Sequence, residues 1–334
     1  MILNIGLDIS KDTIDVAIPK IKRNEITGYR SSRVSNNKKG YALLEKDVLK
    51  QANAGFEVRL TAETTGIYSF PVMDFFARRG VHCNEVHAYA IKRHKQAIGS
   101  KNKTDKADAR DISDYGYRYQ DKLKHPYVAR TAELLELAML MSLYNKVDKI
   151  DKAIKGVNHA YGFLEDKVDF NFESASNALN HMVDKHSRET KAFHKSLTKY
   201  CKDKFKETYA YVTTIPGVGE KIMPYLLNYT HDFRRFSTSR DFTSYIGVVP
   251  NYFESGTSVK GKPKIAHKTM CNNTLRAKLT QSANIAMRHN RQIMALVARL
   301  SHLTWKQQLI AATRKLAIQI HHIGTDKVCY DPKI

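Results

Sequence analysis

Ile2-Leu-Asn-Ile-Gly-Leu-Asp8 is a short apolar run that ends in a carboxylate. A run of this length, rich in Ile and Leu, reads as a buried strand. An acid that closes a buried strand is an unusual choice for a mere turn residue. Working outward, Lys11-Asp12 makes a turn, Thr13 to Ile18 reads as a second strand and Ile26 to Val34 as a third. Lys39 to Ala52 is an amphipathic helix with Tyr41, Leu44, Val48 and Leu49 on one side. Phe56-Glu-Val-Arg-Leu-Thr-Ala62 is a further strand, with Glu63 at its end. Gly66 to Arg79 reads as helix despite Pro71, Gly80 stops it, and Val81 to Val86 is a short strand. Thr104 is a good N-cap for a helix running from Asp105 toward Tyr119. The predicted order is β-β-β-α-β-α-β-α.

Asp105 and Asp108 lie three apart and share a helical face. With Asp8 and Glu63 they can surround one point, where four carboxylates would repel unless cations sat among them. Oxygen-only ligands suit Mg²⁺, with Mn²⁺ as the alternative, and such ions can clamp the attacking and leaving oxygens of a phosphodiester. Singly, each acid also has a structural reading. Glu63 could cap the next helix, and Asp105, Asp108 and Asp111 could complement a helix dipole.

The 334 residues suggest about two domains, and 42 % hydrophobic with 26 % charged residues is ordinary for a globular chain. Gly and Pro are scarce at 16 and 8, which favours helix over long loops. No apolar run approaches the length of a membrane span, and no secretory signal is read at the N-terminus. Four widely spaced cysteines argue against a zinc ribbon or a disulfide framework and fit a reducing cytosol. The anomaly is a net charge of +22, which points to a polyanionic partner. Residues 1–130 carry +9, residues 131–200 zero and residues 201–334 +13. Between Ser255 and Thr325 there is no acid against twelve Lys and Arg, which favours nucleic-acid contact over a solvated face.

Three strings make this reading specific: Gly6-Leu-Asp8-Ile-Ser-Lys, Glu63-Thr-Thr-Gly66 and Lys103-Thr-Asp-Lys-Ala-Asp108-Ala-Arg110. Together they resemble the RuvC-like DEDD domain of a bacterial insertion-sequence transposase family. That family includes the Piv-type DNA invertases and the bridge-RNA-guided recombinases. The resemblance implies an RNase H-like α/β domain with Asp8, Glu63, Asp105 and Asp108 as its metal-binding tetrad.

In the neutral middle, Leu140, Leu143, Val147, Ile150, Ile154, Val157, Tyr161 and Leu164 step alternately by three and four. This heptad seam suits a coiled coil between protomers, against the alternative of a long helix packed on its own domain. Glu165 to Thr198 is polar and reads as helix. The resembling family also carries a helical insertion here.

Thr213-Thr-Ile-Pro-Gly-Val-Gly-Glu-Lys221 reads as the turn of a helix-hairpin-helix, in which Gly217, Gly219 and Lys221 would meet a phosphate backbone. A plain helical hairpin is the alternative. From Phe233 to Pro250 basic and aromatic residues alternate, which would suit backbone contact by Arg234 and Arg235 with base stacking by the aromatics. Asn251 to Thr257 reads as a loop, Lys260-Gly-Lys-Pro-Lys264 as a basic turn, and Lys268 to Lys278 as the opening of a helix. Lys260, Lys262, Lys264, Lys268 and Arg276 are candidate nucleic-acid contacts. This stretch resembles the second conserved domain of the same family. The resemblance places Ser255 on the family's nucleophilic serine, while Cys271 stands where the family usually has Gly. From the residues alone Tyr245, Tyr252 and Ser258 remain rivals, and no Ser-His-Asp spacing is present.

The expected architecture is an RNase H-like catalytic domain over 1–128, a helical coiled-coil dimerisation segment over 129–204 and a helical domain with the hairpin and serine loop over 205–334. The resemblance implies a transposase or recombinase that exchanges DNA strands through a phosphoserine intermediate, without ATP, since no Walker A string occurs. It implies double-stranded donor and target DNA, a structured noncoding guide RNA, a dimer or tetramer, no membrane, and action at the bacterial nucleoid. The rivals are a RuvC-like junction nuclease acting by hydrolysis and a non-catalytic nucleic-acid scaffold.

Overall fold

The computed structural model describes residues 1–23, 25–100, 104–123, 126–165, 167–168, 173–251, 254–255, 259–260, 264–268 and 271–332. They form two compact units, Met1–Arg130 and Thr131–Ile334.

The first unit is built on β1 (Ile2–Ile9), β2 (Thr13–Lys22), β3 (Glu25–Ser35), β4 (Glu57–Glu63) and β5 (His82–Val86) in the order β3-β2-β1-β4-β5. β2 runs antiparallel to both neighbours, whereas β1 pairs in parallel with β4 and β4 with β5. This is the RNase H-like arrangement. The central strand β1 is buried on both faces, and its two faces differ. Leu3, Ile5, Leu7 and Ile9 join an apolar core with Leu44 and Val48 of α1 (Lys38–Asn53) and Met73 and Phe76 of α2 (Phe70–Ala77). Asn4, Gly6 and Asp8 face the other way, because successive side chains alternate.

That second face is covered by α4 (Asp105–Arg118). The approach is close. A Cβ on Gly6 would lie 2.1 Å from the Ala109 carbonyl oxygen, and one on Gly116 would lie 2.5 Å from both Asn4 Oδ1 and Thr61 Oγ1. Ser113 Oγ donates to the Asn4 carbonyl at 2.6 Å, and Thr61 Oγ1 donates to Asn4 Oδ1 at 2.5 Å. Helix and sheet are thus joined by small and polar residues. Thr104 caps α4 as expected, accepting from the Ala107 amide at 3.2 Å. A helix not foreseen in the sequence, α3 (Ala88–Ala97), precedes it. Its N-cap is His87, whose ring accepts from the Tyr89 amide at 3.1 Å.

The second unit contains α5 (Ala132–Glu165), α6 (Glu173–Lys204), α7 (Lys206–Val212), α8 (Met223–Thr230), α9 (Ser239–Tyr245), the two-residue strands β6 (Glu254–Ser255) and β7 (Val259–Lys260), α10 (Asn273–His289), α11 (Arg291–Arg299) and α12 (Trp305–Asp326). Its core gathers Leu134, Leu137, Met141 and Tyr144 of α5 with Leu197 and Cys201 of α6 and Leu226, Leu279 and Leu316 beyond. The stripe that α5 buries is therefore not the heptad seam. Leu143 and Ile150 are 53 % and 51 % exposed, and Val157, Tyr161 and Leu164 are also exposed. Among the described residues no helix is long and apolar enough to cross a membrane.

Candidate active site

The parallel β1–β4 ladder runs to Leu7 opposite Ala62, so Asp8 and Glu63 follow at one level. Both sit on the α4 face of the sheet. Asp105 and Asp108 occupy the first turn of α4, whose docking at Gly6 brings them to the same sheet end. Electrostatics report the convergence. Burial, then the charges of Asp108, Asp105, Glu63 and Asp15, raise the Asp8 carboxyl from 3.8 to about 6. Burial also raises Glu63, with Asp108 adding to the shift and Lys95 opposing it.

Three residues that sequence reading missed complete the cluster. Asp15 of β2 lies directly opposite Asp8, and Arg33 of β3 directly opposite Asp15. Cross-strand partners share a face, so the three form a row. Arg33 donates from Nε to Asp15 Oδ2 at 2.9 Å and from Nη2 to Asp105 Oδ2 at 2.7 Å. From α3, Lys95 Nζ lies 2.8 Å from Asp108 Oδ1. It does so at an angle that makes no hydrogen bond, and that oxygen is buried without another donor. Asp15 Oδ1 is buried and unpartnered in the same way.

Two of the four carboxylates are thus countered by Arg33 and Lys95. Among the described residues no three His, Cys, Asp or Glu side chains stand close enough together to hold a metal in this arrangement. The donor set still fits a hard cation, because it is all carboxylate oxygen, is overcharged at Asp8 and contains a buried oxygen with no hydrogen bond.

In the second unit the serine stretch departs from the expected loop. Glu254 pairs with Lys260 and Ser255 with Val259 in an antiparallel ribbon, and an isolated bridge joins Asn251 to Lys264 at its base. Ser255 therefore stands on a strand, where pairing with Val259 satisfies backbone groups that a free loop would leave to water. Tyr252, Ser258 and Lys262 lie outside the described residues. Lys264 and Lys268 are exposed. Arg276 is occupied within the fold. Its Nη1 donates to the Ala266 carbonyl at 2.7 Å and to the Gly247 carbonyl at 3.4 Å, and its Nη2 to Asn273 Oδ1 at 2.8 Å. It ties together the backbone on both sides of the ribbon instead of facing solvent. Cys271 is accommodated by Gly247, where a Cβ would meet the Cys271 Cβ at 2.6 Å and where φ is +71°. Asn272 caps α10 with its side chain, accepting from the Leu275 amide at 2.9 Å.

The expected stacking surface of 233–250 is also corrected. Phe233 and Phe242 are core residues, and Phe236 and Tyr245 pack against that core. His231, Asp232 and Phe233 take left-handed backbone in succession and turn Phe233 inward onto Gly324. Arg235 lies over Tyr245, 4.6 Å from its ring centre, and Nη1 donates to the Tyr245 hydroxyl at 3.2 Å. Arg234 is exposed. In the hairpin Gly217 has φ +99° and packs on Ala286, while Gly219 opens onto free space beside the exposed Lys221.

Residues 5–166 match the DEDD transposase family of the IS110 type, and residues 209–298 match the transposase IS116/IS110/IS902 family. The two matches cover about three quarters of the chain, which belongs to the IS110 family of transposases. The pilin gene-inverting proteins of Moraxella bovis and Moraxella lacunata are similar, each 24 % identical over 263 residues, or 78 % of this chain and 76 % of theirs. Among solved structures, T. thermophilus RuvC in complex with a Holliday junction substrate is similar at 12 % identity and a TM-score of 0.28. That match spans 36 % of this chain and 96 % of the other.

Proposed function

We propose that this transposase exchanges DNA strands through a covalent phosphoserine at Ser255, with Asp8, Glu63, Asp105 and Asp108 holding Mg²⁺ or Mn²⁺. The observation that carries the reading is the charge of Glu63, Asp105 and Asp108 focused on Asp8 at one sheet end. A divalent cation there would polarise the phosphodiester oxygens. The four carboxylates would hold it, and Arg33 and Lys95 counter Asp105 and Asp108 in its absence. The Ser255 hydroxyl attacks phosphorus, the departing sugar oxygen takes a proton, and the energy of the phosphodiester is retained in the protein–DNA bond. Exchange then needs no ATP.

The work divides along the chain: 1–128 supplies the carboxylates, 129–204 joins protomers into a dimer or tetramer through the exposed seam, and 205–334 supplies the serine and grips DNA. Basic charge concentrated in 201–334 supports double-stranded donor and target DNA as partners, and accommodates a guide RNA like those of the bridge-RNA-guided relatives. The setting is the bacterial nucleoid.

The experiment is a nicked suicide substrate, SDS denaturation and peptide mapping of any adduct. A DNA adduct on Ser255 that vanishes in Ser255→Ala and in chelator supports the reading. Free cut ends without adduct mean hydrolysis, and uncut DNA bound by the protein means a scaffold. An adduct on Tyr245, Tyr252 or Ser258 overturns the serine assignment.

A further inference from the structure

An open groove of about 1020 Å³ in the second unit runs between α6, the 217–222 hairpin and α10. One wall is a stripe of α6. Lys191, Lys195, Lys199 and Lys202 recur at four, four and three residues, and so project from one side of the helix. All four are exposed, and none has an acidic partner within ion-pair distance among the described residues. Like charges one turn apart destabilise a helix. The stripe therefore carries a small cost that nothing within the chain relieves.

The facing wall adds Lys221, beside the open backbone of Gly219, and Lys278 of α10. Three acids line the groove: Asp151 accepts from Lys155 Nζ at 2.6 Å and from Ser187 Oγ at 3.0 Å, Asp148 is paired with Lys152, and Glu220 stands exposed on the hairpin wall, against six lysines along the two walls. His194, on the floor, responds to this field. Burial lowers its pKa first, the hydrogen bond to the Lys221 carbonyl opposes this, and the charges of Lys278 and Lys221 add to the lowering. Tyr144 at the floor is buried, so the groove offers charge without an exposed ring for a base to stack on.

We infer that this groove holds the phosphodiester backbone of a nucleic acid, with the α6 lysines as its principal contacts. The inference rests on the proposed function only in taking nucleic acid as the partner. From Lys191 to Lys202 the helix rises about 16 Å. One strand of B-form duplex places about five phosphates in that length, at roughly 3.4 Å of axis each. Contact is through charge and reads no sequence. The long polar helix between the two conserved segments thereby gains a role beyond connecting them.

The test is Lys191→Gln/Lys195→Gln/Lys199→Gln in the full chain, with fluorescence anisotropy against a short duplex DNA and a hairpin RNA over a salt series. Affinity should fall at least tenfold at moderate salt. The slope of log affinity against log salt should flatten by roughly 2–3, close to 0.9 per lost phosphate contact. The melting temperature should hold or rise, because the lysines repel one another. A loss on both probes assigns the groove to either backbone, and a loss on one identifies which nucleic acid it serves. Lys38→Gln/Lys46→Gln/Lys50→Gln on α1 removes the same charge elsewhere. An equal loss there, or an unchanged slope in the α6 variant, overturns the inference. Wild-type protein that binds neither probe overturns both this inference and the proposed function. Groove-dependent binding without any protein–DNA adduct overturns the strand-exchange reading alone.

Discussion

Lys95 of α3 sets its Nζ 2.8 Å from Oδ1 of Asp108 on α4. The two side chains are each one quarter exposed, so solvent screens the pair only in part. Lys95 also holds the Glu63 carboxyl down against burial. One lysine thus counters two members of the proposed tetrad. Lys95→Met should lower the stability in chelator by about 1 kcal/mol, and should tighten Mg²⁺ binding because one of the two competing side-chain cations is gone while Arg33 remains on Asp105. Calorimetric titration and melting curves with and without Mg²⁺ check both. Unchanged values in both assays would show that Lys95 plays no part.

Asp8 should act on stability in the opposite sense from a paired carboxylate. Its folded value of about 6 lies above the ordinary 3.8, so folding favours the protonated acid. That contribution is fully present below about pH 3.8 and is lost as pH rises through 6. Asp8→Asn should therefore stabilise the protein in chelator at pH 8, by about 1 kcal/mol once solvent screening is allowed for. The difference should vanish near pH 4, while strand transfer is abolished at every pH. Denaturant melts at the two pH values decide it, and a variant less stable at pH 8 would contradict the crowded-carboxylate picture.

Gly6→Ala adds one methyl group where a Cβ would stand 2.1 Å from the Ala109 carbonyl oxygen and 2.5 Å from the Ser113 amide nitrogen. Both obstacles are backbone, so α4 must shift. Overpacking of this kind costs about 1–3 kcal/mol. The shift carries Asp105 and Asp108 away from Asp8, so strand transfer should be lost with all four carboxylates present. Urea unfolding and the suicide-substrate assay measure the two effects together.

The exposed half of the α5 seam should join protomers. Ile150→Asp with Val157→Asp changes two side chains that are 51 % and 46 % exposed. The helix should survive, and a charge should be carried into any apolar interface, at a cost of several kcal/mol. Light scattering should show a smaller mass with unchanged helical circular dichroism. An unchanged mass would remove the seam from any role in assembly.

What could be read from the sequence was local. The apolar run Ile2–Leu7 closed by Asp8, the N-cap Thr104 and the three-residue step from Asp105 to Asp108 each declare themselves within one element. Arg33 and Lys95 could not be found this way. Arg33 meets Asp105 across 72 positions, and Lys95 rides on a short basic helix capped by a histidine, an uncommon N-cap. The aromatics from Phe233 to Tyr245 misled because alternation with arginine looks the same whether the rings face bases or a core. The left-handed run at His231–Phe233, which decides the matter, has no glycine to announce it. Ser255 read as loop because a two-residue strand leaves no periodicity to detect.

The two unlike faces of β1 bear on how this chain can change over time. Leu3, Ile5, Leu7 and Ile9 feed one side of the sheet and Asn4, Gly6 and Asp8 the other. Substitutions disturb one face at a time, but gaining or losing a single residue before Asp8 exchanges them, because strand parity flips every side chain beyond the change. Asp8 would then point among Leu44 and Phe76, and a leucine would meet α4 where only glycine fits. Related chains should therefore vary the letters of this strand far more freely than its length.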